Sequence, residues 1–528
     1  MNKYASLAAL IASTVLAGCN LAPDHVRPEG AIPQALPQGG AYPALATDAP
    51  DVTAIGWRDF FVDPRLQAVI EQGLANNRDL RIAAGNVLQA QAQYRIQRAA
   101  LVPTTSINAG ATYTNNLFGA TGAAAGGAAG GAGGIGTGTG GTGTGGTGTG
   151  TGGTGTGGTG NTGTGGGAVG GGTGGIGGTG AGATTGNLEF YNVSAGFSAF
   201  ELDLFGRVRN TTRAALEQYL ATEEGERSAR ISLIGEIATA WLTLAADQDR
   251  LRLARETLGS FQESLRLTTA QFRIGVASEL EVRQAETNYQ DARLNIAAST
   301  AQVAQDQNAL NLLVGATVPA ERLPGTLGVA NYTLPDLPAN LSSAILLQRP
   351  DVLQAEHQLA AQAANIGAAR AAFFPTISLT ATLGTISTAL GGLFGAGSDT
   401  WTVAPTAAWS IFNGGRAQAN LRYTEASRRV ALATYERTLQ SAFREVADQL
   451  AIRGTIGEQV SARTARAEAA SVAARLADAR YRAGVDNFLT SLDAQRTAYA
   501  AEQDLVTTRA ARATNLVALY RSLGGGLR

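Results

Sequence analysis

Cysteine is nearly missing from this sequence. One Cys in 528 residues can close no intramolecular disulfide and offers no Cys-x-x-Cys zinc spacing. The two histidines, His25 and His357, are too few and too far apart to suggest a metal site, and the only Met is Met1, which leaves a thioether site for soft metals without ligands. Charge is scarce as well. Asp, Glu, Lys and Arg make up 15 % of the chain, against ~25 % in an average domain. The formal net charge is −1 and no Lys/Arg-rich run occurs, so nothing supports counterion-release binding to nucleic acid. Beyond the N-terminus there is no apolar run of about 18 residues, and a membrane-spanning helix is not expected.

What is present in excess is glycine, 68 residues. The excess has one source: residues 119–186 hold 37 Gly in 68 positions and no charged side chain, while the remaining 460 residues have ordinary Gly usage. The tract contains many G-x-G-x-x-G matches, but none has the strand–glycine–helix context or the acidic partner that dinucleotide binding needs. It reads as a solvated loop without a packed core. At the other extreme of the chain, Lys3 precedes an apolar stretch, Leu7–Leu16, of signal-peptide length. Leu16-Ala17-Gly18-Cys19 follows and resembles a bacterial lipobox, with the sole Cys of the chain at the position that is lipidated. Residues 1–18 are then a lipoprotein signal peptide. Asn20 lacks the acidic character of an inner-membrane retention signal, which favours the outer membrane. Residues 19–62, rich in Pro and Gly, read as a lipid-anchored extended tether.

The rest of the chain is duplicated. Arg98-Ala99-Ala100-Leu101-Val102-Pro103-Thr104 recurs as Arg370-Ala371-Ala372-Phe373-Phe374-Pro375-Thr376, an offset of 272. Leu204-Phe205-Gly206-Arg207 recurs as Asn413-Gly414-Gly415-Arg416, and Phe272-Arg273-Ile274-Gly275-Val276 as Tyr481-Arg482-Ala483-Gly484-Val485, both at an offset of 209. The two offsets differ by nearly the length of the Gly tract, so the first repeat (63–315) carries an insert that the second (341–524) lacks, with a linker at 316–340. Each repeat begins with a helical run (63–101, then 341–373) that a following Pro ends. Two strands come next, then a helix of ~60 residues (210–272, then 417–481), a Gly turn, and a second helix (279–314, then 488–523). At 1.5 Å per residue a 60-residue helix is about 90 Å long, too long for one compact globule. Ile231, Ile234, Ala238, Trp241 and Ala245 follow near-heptad spacing.

The strands argue against a soluble coiled-coil rod. In 188–200 the apolar positions are Tyr191, Val193, Ala195, Phe197 and Ala199, with Asn192, Ser194 and Ser198 between them. In 376–387 Ile377, Leu379, Ala381 and Leu383 alternate with Thr376, Ser378, Thr380 and Thr382. In 401–412 Trp401, Val403, Pro405, Ala407, Trp409 and Ile411 alternate with Thr402, Thr406 and Ser410. The strand near 104–117 is weaker, with Ile107, Ala109, Ala111 and Tyr113. Apolar residues alternating with small polar ones over about ten positions fit a barrel strand that faces lipid on one side and a wet lumen on the other. Four strands cannot close a barrel, and open sheet edges are not tolerated in lipid, so other copies of the chain must complete it. Pro405 lacks a ladder N–H and implies a bulge or kink. Trp401 and Tyr191 are candidate interface aromatics.

These residues resemble those of the TolC-like outer membrane factors, and more closely the OprM/NodT-type efflux lipoproteins. The resemblance covers nearly all of the chain outside 119–186. It rests on Cys19-Asn20-Leu21-Ala22-Pro23-Asp24 at the lipidated start and on Asn76-Asn77-Arg78-Asp79-Leu80-Arg81 in the first helix. Gln348-Arg349-Pro350-Asp351-Val352 and Asn365–Pro375 match its counterpart in the second repeat, and Leu489-Thr490-Ser491-Leu492-Asp493-Ala494-Gln495-Arg496 matches near the C-terminus. The resemblance implies a homotrimer with a 12-stranded outer-membrane β-barrel, four strands per chain, continued by a long periplasmic α-helical barrel. It also implies partners, a periplasmic adaptor (membrane fusion protein) and an inner-membrane pump of the resistance-nodulation-division type, and a passive conduit for small molecules. The Gly/Thr-rich loop then faces the outside of the cell.

The resemblance further assigns a periplasmic aperture to Leu489, Asp493 and Arg496, which share one helix face by their spacing. At the offset of 209 their first-repeat counterparts are Leu280, Gln284 and Thr287, so charge there comes from the second repeat alone. The bland reading of Asp493 and Arg496 is a solvated i,i+3 ion pair worth a few tenths of a kcal/mol. Gly275-Val276 and Gly484-Val485 resemble adaptor-docking hairpin tips, and simple helix termination by Gly is compatible with that role. No nucleophile–base arrangement or cofactor motif suggests an enzyme. Three alternatives remain beside the efflux channel: the exit duct of a type I protein secretion system, an adhesive surface protein built around the Gly tract, and a periplasmic adaptor. Lipidation argues against the first, and the two separated pairs of amphipathic strands argue against the last.

Overall fold

A computed structural model describes residues 20–24, 26–27, 30–43, 55–114, 188–327, 332–333 and 343–525. The signal peptide, Cys19 and the 119–186 insert lie outside the described residues. The chain divides into two units. One is helical and comprises residues 1–102, 203–376 and 408–528; the other comprises residues 103–202 and 377–407 and contains the sheet.

The helical unit opens with a short helix α1 (Trp57–Phe60) and α2 (Pro64–Asn76). Asp63 caps α2 by accepting from the Arg65 N–H at 2.7 Å, and Pro64 occupies the first turn, where no N–H is needed. The helical run 63–101 is not continuous. It breaks at Asn77, whose side chain accepts from the Leu80 N–H at 2.8 Å and caps α3 (Arg78–Ala99), while its amide donates to the Leu313 carbonyl at 2.7 Å. After the sheet excursion come α4 (Arg207–Arg273) and α5 (Glu279–Val314). In the second repeat a 3-10 turn (Ser343–Gln348) precedes α6 (Pro350–Ala371), followed by α7 (Arg416–Arg482) and α8 (Phe488–Ser522). Helices α4 and α7 each span 67 residues, about 100 Å of helix. Their ends are related by the same 209-residue offset, and α3 maps onto α6 by 272.

Neither long helix is amphipathic along its whole length; each buries what its neighbours require. Ile231, Ile234, Ala238, Trp241 and Ala245 of α4 are all buried in the main core, or at its edge, as are Leu66, Ile70, Tyr435 and Tyr520. Phe60 stacks on Tyr520 with ring centroids 4.0 Å apart, and the Trp241 indole N–H donates to the Arg322 carbonyl at 3.1 Å. One stretch of α4 is long and apolar enough by composition to cross a membrane, but most of it is buried against other helices, as in a core helix.

The segment read as a tether (19–62) is more firmly held than that reading implied. Within it, Arg27 forms a two-point pair with Glu356 of α6 (3.0 and 2.6 Å), Arg370 donates to the Leu21 carbonyl (3.1 Å), and Ser343 donates to the Gln34 carbonyl (2.6 Å). A Cβ on Gly367 would come within 2.8 Å of the Ala22 backbone nitrogen, so only glycine lets the segment lie this close to α6. Leu36, Trp57, Phe60 and Phe61 enter the main core. Proline-rich composition predicted the extended backbone; the scattered apolar residues that seat it were too sparse to read as a pattern.

The sheet unit has four strands in the order β1-β2-β3-β4: Thr105–Thr114, Leu188–Glu201, Thr376–Ser387 and Asp399–Ala408. β1 pairs antiparallel with β2 from Thr105↔Phe197 to Thr114↔Leu188, and β2 pairs antiparallel with β3. Two expectations are corrected. The alternation assigned to β2 fails at its end, because a bulge lies between Phe197 and Phe200. Phe197 pairs with Ala381 and Phe200 with Leu379, so Phe200, not Ala199, shares the face of Phe197, and the two rings meet edge to face at 6.2 Å. Ala199 sits at φ +52°, and its N–H is taken by the Thr380 hydroxyl at 3.0 Å. The last strand begins two residues before Trp401 and stops at Ala408, so Trp409, Ile411 and Phe412 lie beyond it. β4 runs through Pro405 without a break at the edge of the sheet, where a missing N–H is tolerated. Tyr191 donates to Glu189 (2.9 Å) and its hydroxyl lies 3.2 Å from that of Tyr113.

Candidate gate and docking tips of the helical hairpins

The two hairpins of the helical unit turn in the same way. At the end of α4 the Gly275 N–H donates to the Phe272 carbonyl (3.0 Å) and the Val276 N–H to the Gln271 carbonyl (2.9 Å). At the end of α7 the Gly484 N–H donates to Tyr481 (2.9 Å) and the Val485 N–H to Arg480 (2.9 Å). Both are Schellman turns, which satisfy the last helical carbonyls and need a left-handed residue. Gly275 (φ +81°) and Gly484 (φ +71°) supply it. The valines that follow are bare, Val276 73 % and Val485 63 % exposed.

Side chains then set the two tips apart. Ser278 and Glu281 form a reciprocal capping box at the start of α5. Asn487 caps α8 by accepting from the Thr490 N–H at 2.9 Å. In the second tip Arg480 grips Asp486 through two bonds (2.6 and 3.0 Å), and this guanidinium holds the Asp486 carboxyl below its ordinary range. The first-repeat counterparts, Gln271 and Ala277, cannot form that pair.

Three of the expected aperture residues, Leu489, Asp493 and Arg496, share one bare face of α8. Leu489 is exposed, as is its first-repeat counterpart Leu280, and Asp493 and Arg496 are exposed along the same face of α8. Phe488, Ser491 and Leu492 face the other way and are buried. Gln284 is half-buried and Thr287 exposed, with its hydroxyl bonded to the Arg283 carbonyl at 2.9 Å. Among the described residues Asp493 and Arg496 make no ion pair with each other or with any other group, so the bland i,i+3 reading does not account for them. Two charges are left facing outward beside an exposed leucine.

Sequence reasoning missed the contact that joins the hairpins. Tyr481 donates from its hydroxyl to Gln271 and lies 3.5 Å from the Thr268 hydroxyl, tying the end of α7 to the end of α4. Its ring lies 5.5 Å from that of Phe488 in a buried cluster with Leu492, Phe261, Ala285 and Ala292, and burial pushes the Tyr481 hydroxyl pKa upward. The counterpart Phe272 is 44 % exposed and makes no such seal. The one readable signal was the exchange of Phe272 for Tyr481 between otherwise matching turns. Among the described residues no group of His, Cys, Asp or Glu is placed to hold a metal ion.

Two hairpins, each with one helix of about 100 Å and a matching turn, and a small sheet that is open at both edges among the described residues define a channel protein of the outer membrane class. The model of the outer membrane efflux protein family matches residues 150–316 and 341–525, and the chain belongs to that family. It is 40 % identical over 522 residues to the probable efflux pump outer membrane protein TtgC of Pseudomonas putida, covering 98 % of this chain and 95 % of that protein. It is also 40 % identical over 528 residues to the solvent efflux pump outer membrane protein SrpC of the same species, covering 99 % and 98 %. The open state of the Neisseria gonorrhoeae MtrE outer membrane channel superposes with a TM-score of 0.77 at 32 % identity, over 97 % of this chain and 99 % of that one. The chain is an outer membrane factor of the TolC/OprM type, a channel of tripartite efflux systems that extends from the outer membrane into the periplasm.

Proposed function

We propose that three copies of the chain form one passive exit duct for small molecules. Each copy contributes four strands to a 12-stranded barrel and two hairpins to a periplasmic α-helical barrel. The observation that carries this reading is the sheet, whose edge strands β1 and β4 lack a neighbouring strand among the described residues. Ile107 on β1 and Trp401 and Val403 on β4 are exposed there. An unpaired edge cannot rest in hydrocarbon, and pairing β4 with β1 of the next copy removes every edge at once. Lipidation at Cys19 anchors the start of the chain. The exposed Gly275-Val276 and Gly484-Val485 tips are the surface for a periplasmic adaptor, which links the duct to an inner-membrane pump of the resistance-nodulation-division type. Leu489, Asp493 and Arg496, with Leu280 and Gln284, narrow the aperture. A channel touches its cargo weakly, so the pump selects it.

Deleting the gene and complementing it, against a broad panel of antibiotics, dyes and detergents, tests the reading. Lost resistance restored by the wild-type chain is the expected result. Unchanged susceptibility together with an altered secreted proteome would replace small-molecule efflux with protein secretion.

A further inference from the structure

The middle of the first hairpin holds a group of polar residues that the duct reading does not use. Asp247 of α4 is 4 % exposed and pairs with the guanidinium of Arg250 one turn on. Arg250 also donates to the Thr507 hydroxyl of α8 at 3.1 Å. Asp306 of α5 accepts from the Gln302 amide through Oδ1 at 2.8 Å. Its Oδ2 is enclosed and no donor reaches it. Across the helix pair the Asp306 carboxyl faces the Asp247 carboxyl, with Arg250 nearby. Two carboxyls that meet with no donor between them repel when both are ionised, and a buried acceptor without a donor is itself destabilising. One proton placed between them removes both penalties.

We propose that Asp247 and Asp306 share one proton and form a latch that holds α4 to α5 at mid-length, slackening when that proton is lost. Burial and the neighbouring Asp247 push the Asp306 carboxyl up to about 6, against the opposing pull of Gln302 and Arg250. The groups that face the pair are few. Helix α4 brings Asp247 and Arg250, α5 brings Gln302, and α8 brings the Thr507 hydroxyl. Among the described residues α2 and α8, which also pack on α5, place no charged group within ion-pair reach of either carboxyl. A folded-state value above that of the unfolded chain means that the latch is closed below about pH 6 and opens as pH rises through it. The same hairpin ends in the Gly275-Val276 tip and Leu280, so the latch couples the protonation of one carboxyl pair to the firmness of that hairpin. This consequence for the aperture rests on the gate reading; the shared proton does not.

The test is infrared difference titration of the full chain in lipid nanodiscs. Wild type should show a carboxylic-acid carbonyl band near pH 5 that disappears with a midpoint at about pH 6. Asp306→Asn should remove it, because the amide is a permanent donor to Asp247. Asp247→Asn should lower the midpoint by about one unit or more, because the like charge is gone. Amide exchange across α5, corrected for the intrinsic rate, should be about threefold slower near pH 5.5 than near pH 7.5 in wild type and equal at both in Asp306→Asn. Absence of the band, its survival in Asp306→Asn, or a midpoint unmoved by Asp247→Asn would overturn the latch. None of these readouts needs a pore, so a protein that titrates as expected but conducts no ions would overturn the duct reading alone.

Discussion

Single residues explain why the recognisable motifs are where they are. The Gln348–Val352 stretch is built around Arg349, which is 8 % exposed and anchors three directions at once. It binds Asp351 through two bonds (3.0 and 2.7 Å), Glu445 of α7 (3.0 Å) and the Ser522 carbonyl at the end of α8 (2.6 Å). Arg349→Met should lower stability by about 2–3 kcal/mol, read as an earlier loss of helical signal on heating; Asp351 and Glu445 keep some water, which holds the cost below that of a fully buried pair. Ala199 at φ +52° tests the bulge. Ala199→Gly relieves the left-handed strain and should raise stability by about 1 kcal/mol, whereas a regular strand at that position would be weakened by the same change. His357 supplies a pH dependence. Its Nδ1 lies 2.8 Å from Glu217 on α4, and that hydrogen bond raises the His357 pKa against the opposing effect of burial. The contribution is complete below the ordinary His range and is lost as pH rises through the raised value. His357→Gln should therefore flatten part of the dependence of the melting temperature on pH between about 6 and 8.

At the scale of elements, the duplication made most of the helical unit legible. Repeated tetra- to heptapeptides at fixed offsets do not depend on propensity, and the long-helix ends fell within three residues of the expected bounds. Where the structure departs, the cause is a local side-chain bond or a backbone device that periodicity does not register. Asn77 breaks one helical run by capping the next, and the β2 bulge changes which residues share a face. Spacing placed the proposed aperture residues of α8 on one face, but the Tyr481 contact crosses between hairpins and has no spacing signal within either. The tips yield a prediction that separates docking from folding. Val276→Asp with Val485→Asp changes two exposed residues that follow, rather than form, the left-handed turn positions. The double variant should melt as wild type does and conduct as wild type does in bilayers, yet fail to restore resistance to a deletion strain. Full complementation would remove the tips from the adaptor surface.

The whole molecule is a conduit, and its proposed constriction is the Leu489–Arg496 face. Among the described residues the sheet has four strands and two open edges; in the proposed duct further copies close it, a need that sequence could read without the partner surface. Among the described residues Asp493 and Arg496 make no ion pair, which fits the proposed ring of charges completed by further copies. Single-channel recording of the purified full chain in planar bilayers tests this most directly. Wild type should insert as a pore of low conductance, and Asp493→Ala with Arg496→Ala should raise that conductance several-fold without changing the melting temperature. No conductance in either protein, or equal conductance in both, would contradict the account.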